Sequence, residues 1–165
     1  MRRDLTAQAV ALNRLLHRLM PREPEVLGLL ALMLLHESRP ATRFDGWSRL
    51  VRLQDQALIA DAARLLARAM ATHRPGAYQI QATIDAIHAQ APSHEQTDWH
   101  QIRDLYDRRK LFTPSPVVRL NRAVATRMAI GPQAALAEVE PLAGEPDGYQ
   151  LFTPSRPNCL RPRAA

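Results

Sequence analysis

Residues 97–107 read T-D-W-H-Q-I-R-D-L-Y-D, and residues 114–125 read P-S-P-V-V-R-L-N-R-A-V-A. Trp99, Ile102, Leu105 and Tyr106 recur at helical spacing and form the expected inner face of one helix. Thr97 is the expected N-cap, and Asp98 falls in the first turn, where a negative charge meets the positive end of the helix dipole. In the second string Ser115 is placed to cap a helix and Pro116 to occupy its first position, where a missing N–H costs nothing. Val117, Leu120, Val124 and Met128 supply its expected apolar stripe. Only Leu111–Pro114 connects the two helices, so they must return antiparallel. Gly131-Pro132 then opens a further helix, expected over 132–142, with Ala135, Leu136 and Val139 on its apolar side. A helical pair followed by a third helix is the tetratricopeptide arrangement, although no full second copy of the repeat overlays it.

Working outward from this hairpin, the same period recurs. Leu5, Ala9, Leu12, Leu16 and Leu19 predict a helix over about 4–20, ended by Pro21. Glu23-Pro24-Glu25 starts a second helix that is apolar nearly all round from 25 to 37, and so is expected to be the most buried. The stretch Ser38–Trp47, with Pro40, Asp45 and Gly46, reads as a loop, followed by a short segment at Ser48–Gln54. Leu58, Ile59, Ala62, Leu65, Leu66 and Met70 mark a third long helix at about 56–72, closed by Arg74-Pro75-Gly76. Ile80, Ile84, Ile87 and Ala91 stripe a fourth, broken by Pro92-Ser93. The fold class expected is all-α: a stack of antiparallel helical hairpins, tetratricopeptide-like, of about seven helices. One helical region is expected over 1–152, its tetratricopeptide-like part at about 97–152. Thr153–Ala165, rich in Pro and Arg, is expected to be a disordered basic tail.

Composition agrees and excludes several classes. Apolar residues make up 46% of the 165-residue chain, enough for a buried core, while aromatics make up only 5%. Ala and Leu, which favour helix, dominate over the β-branched and aromatic residues that favour strands. The most apolar run, Val26–Leu35, is half the length a membrane crossing needs (about 20 residues), and no signal-peptide core follows the charged start Met1-Arg2-Arg3-Asp4. The single cysteine, Cys159, cannot staple the fold, which suits a reducing cytoplasm. Half of the net charge of +6 lies in Thr153–Ala165, so a basic nucleic-acid face is not required by the rest.

Several strings, in this order, resemble a known family: E-P-E-V-L-G-L-L-A-L-M-L-L-H at 23–36, Y-Q-I-Q-A-T-I-D-A-I-H-A at 78–89, T-D-W at 97–99, L-Y-D at 105–107, P-S-P-V-V-R-L-N-R-A-V-A at 114–125 and D-G-Y at 147–149. Over about residues 5–152 the chain resembles the C-terminal, tetratricopeptide-like extension of a group of bacterial extracytoplasmic-function RNA polymerase sigma factors. Three departures stand out. Nothing in the chain resembles the two N-terminal sigma domains. L-V-R-L-Q-D-Q at 50–56 runs directly into A-L-I, where family members carry several more polar residues and a tryptophan. After D-G-Y the family continues with another amphipathic helix, whereas here a Pro- and Arg-rich tail follows. The resemblance implies a fragment of a sigma-factor gene or a decayed copy of one. It also implies a role in transcription regulation through protein contacts: with RNA polymerase, with sigma domains or with a regulator. The alternative is a free-standing helical-repeat adaptor unrelated to transcription.

No residue pattern requires catalysis. His94 and His100 are six apart, where two ligands on one helical face need three or four, and His17, His36, His73 and His88 fall on separate helices or helix ends. His36 fits a favourable contact at a helix C-terminus. Cys159 lies in the tail with no base fixed beside it. Asp104 and Asp107 share one helical face, but beside Arg103, Arg108, Arg109 and Lys110 they read as a solvated charge lattice. Neither catalytic residues, a cofactor nor a metal is therefore expected. Nor is a small-molecule substrate, a membrane association or sequence-specific DNA binding by this chain alone. The candidate partner-binding residues are Asn121, Arg122, Tyr106 and Trp99. Asn121 lies beside the apolar stripe, which suggests a half-buried side chain that either holds a partner peptide in a groove or ties one helix to the next.

Overall fold

The computed structural model describes residues 2–38 and 48–144. They form seven α-helices, α1 (Arg2–Leu19), α2 (Pro24–Glu37), α3 (Ser48–Met70), α4 (Ala77–Gln90), α5 (Trp99–Phe112), α6 (Pro116–Ala129) and α7 (Pro132–Val139), with a 3-10 turn at Glu140–Gly144. No strand occurs among the described residues, and within each of two units successive helices pack as helical hairpins. The expected tail at 153–165 and the expected loop at 39–47 lie outside the described residues. The chain divides into two compact units, Met1–Glu95 and Gln96–Ala165, at the break signalled by Pro92-Ser93. No helix of the described residues is long and apolar enough to cross a membrane.

The first unit is built around α2. Pro24 occupies its first turn after the N-cap Glu23, and the helix buries Val26, Leu27, Leu30, Leu34 and Leu35. It packs against α1, α3 and α4, and Leu30, Leu34 and Leu35 join Val10, Ala62, Leu66, Ala82 and Ala86 in one core. Each leucine so buried contributes about 1.5–3 kcal/mol.

What fixes α4 on α2 is a carboxylate. The N-cap of α4 is Gly76, which has no side chain to satisfy the first amides. Glu25 of α2 supplies the cap instead. Its Oε2 accepts from the Tyr78 N–H at 2.9 Å, and its Oε1 accepts from the Gln79 N–H and the Gln79 side-chain amide, both at 3.1 Å. The same Gln79 amide donates to the Arg74 carbonyl at 2.8 Å, so the turn before α4 is held too. Two glycines make the approach possible. A Cβ on Gly76 would overlap the Glu25 carboxylate, and one on Gly28 would lie 2.7 Å from the Gln79 backbone nitrogen. At the far end of α2, His36 Nε2 and the buried Asp85 carboxylate of α4 meet at 2.8 Å. Contacts pairing early with early and late with late residues show that α2 and α4 run parallel, with α3 returning between them in sequence.

Two expectations need correction. The third helix is not preceded by a separate short segment at 48–54: α3 is continuous from Ser48 to Met70, a span without proline or glycine. The predicted inner stripe of α1 is not its inner face. Val10 and Asn13 are buried, whereas Leu5, Leu12 and Leu19 are 63%, 67% and 72% exposed. α1 packs chiefly on α2, and the slim Asn13 side chain lets it lie close, with Asn13 Nδ2 at 3.6 Å from the Met33 sulfur. Periodicity shows that a stripe exists; it does not show which element covers it.

A Gly→Ala change inside a helix ordinarily gains about 1 kcal/mol from propensity. At Gly28 the obstacle is backbone, which cannot swing aside, and overpacking costs about 1–3 kcal/mol. Thermal melts should therefore show Gly28→Ala to be destabilising, and Leu12→Ala to lie within about 0.5 kcal/mol of the parent. A stabilised Gly28→Ala would contradict the close approach of α2 and α4.

Candidate functional site

The second unit carries all four residues singled out from the sequence. Asp98, not Thr97, caps α5: its carboxylate accepts from the Gln101 N–H at 2.9 Å, while Thr97 is buried. A shift of one residue moves the cap from a hydroxyl to the stronger charged acceptor. Ile102 and Tyr106 face inward, and Trp99 and Leu105 are half-buried. Tyr106 is thus a core residue, with only 8% of its surface exposed. Ser115 caps α6 through the Val118 N–H at 3.3 Å, and Pro116 takes the first helical position.

The buried face of α6 is Val118, Ala123, Ala125 and Thr126; the expected Val117 and Met128 are exposed, and Leu120 and Val124 half-buried. The reason is that α6 lies between α5 and α7 and packs on both. A helix with neighbours on two sides buries its small residues, which admit close backbones.

Arg122 joins all three helices. Its guanidinium donates to both carboxylate oxygens of Asp107 on α5, Nε at 2.8 Å and Nη2 at 3.0 Å, and its Nη1 pairs with Glu138 on α7. Lys110 adds a second cation to Asp107 at 2.7 Å, and the Thr126 hydroxyl, itself buried, donates to Glu138 at 2.9 Å. Two cations thus meet two carboxylates. Burial pushes the Asp107 carboxyl up, but hydrogen bonds from Arg122 and Lys110 outweigh it and hold its pKa below the ordinary aspartate value. For Arg122 the hydrogen bond to Asp107 comes first, and it raises the guanidinium above its already high pKa against a smaller effect of burial. A neutral, mutually satisfied cluster of this kind ties helices and has little charge left for a ligand.

Asn121 is exposed on α6, not half-buried. The helix-tying role weighed for it belongs to its neighbour Arg122, whose partners Asp107 and Glu138 were not paired with it in the sequence reading. Of the four candidates, Asn121 alone is exposed. The pair His36–Asp85 was missed as well; its signal is an acid set between Ile84 and Ala86 on the buried side of α4. Among the described residues no group of three or more His, Cys, Asp or Glu side chains is placed to hold a metal ion.

Comparison with known proteins gives two matches. Residues 1–75 match a family described as of unknown function (DUF6596). Over 165 aligned residues the chain is 47% identical to an uncharacterized protein of Rhizobium meliloti (strain 1021), with 96% of this chain and 39% of the relative covered. The chain therefore spans about two-fifths of the length of that curated relative. No solved structure matches.

A carboxyl with a depressed pKa stabilises the fold above its unfolded value of about 3.9 and ceases to do so as pH falls through its lower folded value. Asp107 is 40% exposed, so solvent discounts the pair to about 1 kcal/mol. Asp107→Asn should lower the melting temperature near neutral pH, and the gap to the parent should close as the pH is taken from 5 toward 2. A gap of equal size at both ends would show that the ion pairs do not hold these helices.

Proposed function

We propose that the chain is an accessory region of an extracytoplasmic-function sigma factor, and that it acts in transcription regulation by protein contact and not by catalysis. The observation that carries this reading is where the family-like strings fall. E-P-E-V-L-G-L-L-A-L-M-L-L-H contains Glu25, Gly28 and His36, and Y-Q-I-Q-A-T-I-D-A-I-H-A contains Gln79 and Asp85. These are the residues that lock α2 to α4. L-Y-D contains Asp107, and V-V-R-L-N-R contains Arg122, the tie of the second unit. Residue types shared at the joints of a fold support a shared fold better than shared composition does, because each joint constrains two distant positions at once. The greater length of the Rhizobium relative also supports the region-of-a-larger-protein reading.

On this reading the helical units work as a platform. They bias the sigma domains or the polymerase toward one state by contacting it better than the other. That action suits a protein located in the bacterial cytoplasm.

The test is direct retention. The immobilised full chain should hold either purified bacterial core RNA polymerase or a purified two-domain extracytoplasmic-function sigma fragment at micromolar concentration. It should not hold promoter DNA at physiological salt. If the folded chain retains neither protein, the transcription reading fails and the free-standing adaptor replaces it. Salt-resistant, sequence-specific retention of DNA would contradict it equally.

A further inference from the structure

The first unit has an open cleft of about 360 Å³ formed by α1, α2 and α3 and lined by Arg14, Leu30, Leu34, Asp61, Arg64, Leu65 and Arg68. Its origin is architectural: α1 and α3 both pack on α2, and the stretch of α2 between them, carrying Leu30 and Leu34, forms the floor. α3 turns Asp61, Arg64, Leu65 and Arg68 toward the cleft, the spacing i, i+3, i+4, i+7 of a single helical face. Asp61 is taken up by an ion pair with Arg64. Arg14 on one wall and Arg68 on the other have no carboxylate partner among the described residues.

We infer that this cleft is the docking site for an amphipathic helix of a partner protein, with leucine-like residues facing its floor and acidic residues facing Arg14 and Arg68. Charge complementarity selects this occupant. Three arginines against one aspartate give the cleft a net positive rim, and the half-buried Leu65, over a floor where Leu30 and Leu34 show only 5% and 3% of their surface, asks for a narrow apolar stripe between the acids. A nucleic-acid strand would satisfy the arginines but would meet leucine where it needs an aromatic platform, and no aromatic side chain lines the cleft. A second copy of a chain with net charge +6 is disfavoured by repulsion. The assignment rests on the cleft's own residues and stands whether or not the partner belongs to transcription.

The probe is a fluorescein-labelled helical peptide of about 18 residues, with leucines at i, i+3, i+4 and i+7 flanked by glutamates, titrated with the full chain at physiological salt. Its control has lysines in place of the glutamates. The glutamate peptide should bind and the lysine peptide should not. Arg14→Glu and Arg68→Glu should each weaken binding about tenfold or more. Charge reversal of the exposed Arg108 on α5 should leave it unchanged, and amide shifts should map to α1 and α3. Circular dichroism should show both cleft variants as helical as the parent. Equal weakening by Arg108→Glu, absence of glutamate-peptide binding, or tighter binding of a single-stranded oligonucleotide through the same arginines would each overturn the inference.

Discussion

The carboxylate of Glu25 is the point on which the first unit turns. A helix that begins with glycine has no side-chain acceptor of its own for its first amides, and a charged acceptor supplied from elsewhere is among the stronger single hydrogen bonds. α4 meets this by borrowing an acceptor from α2, 53 and 54 residues earlier in the chain. The borrowed cap demands that the two helices begin side by side, that Gly76 leave room for the carboxylate, and that Gly28 leave room for the backbone of Gln79. Once these conditions hold, the leucines of α2 fall into register with Ala82 and Ala86, and α3 closes over both. Local chemistry at one helix end thereby sets the packing of a whole unit.

The second unit follows the same logic with the opposite charge. There a cation on the central helix, Arg122, reaches carboxylates on both neighbours. A guanidinium held at 20% exposure would be costly alone, but its fork matches Asp107 in two parallel hydrogen bonds, and Glu138 takes what remains. In each unit a single charged residue on the central helix specifies the relation between elements that leucine and alanine, being non-directional, would leave open.

That distinction also explains what could be read from the sequence. The number of helices, the breaks at Pro21, Arg74-Pro75-Gly76 and Pro92-Ser93, the buried character of α2 and the cap at Ser115 were legible because prolines, glycines and period are local signals. The faces were less so. The large leucines of α1 draw attention, yet Val10 and Asn13 meet α2; in α6 the small Ala123 and Ala125 go inside because two neighbours crowd it. Neither fact has a local signature. Asn121 and Arg122 both stand out on α6, but the sequence offers the half-buried tie only as one of two roles for Asn121, because nothing local pairs Arg122 with Asp107 fifteen residues earlier and Glu138 sixteen later. The cleft of the first unit was illegible for the same reason: it draws on three helices.

If the first unit is assembled as described, the Tyr78 and Gln79 amides are protected by a side chain from another helix. The amides of Gln133 and Ala134, at the same positions of α7 after another glycine N-cap, meet no side-chain acceptor among the described residues. A hydrogen bond to a charged acceptor of about 1.5–3 kcal/mol corresponds to about tenfold or greater slowing of exchange. Residue-resolved hydrogen–deuterium exchange on the intact chain should therefore show Tyr78 and Gln79 exchanging at least about tenfold more slowly than Gln133 and Ala134 after correction for intrinsic rates, with the difference abolished in Glu25→Ala. Equal protection at the two helix starts, or protection that survives loss of the Glu25 carboxylate, would contradict the account.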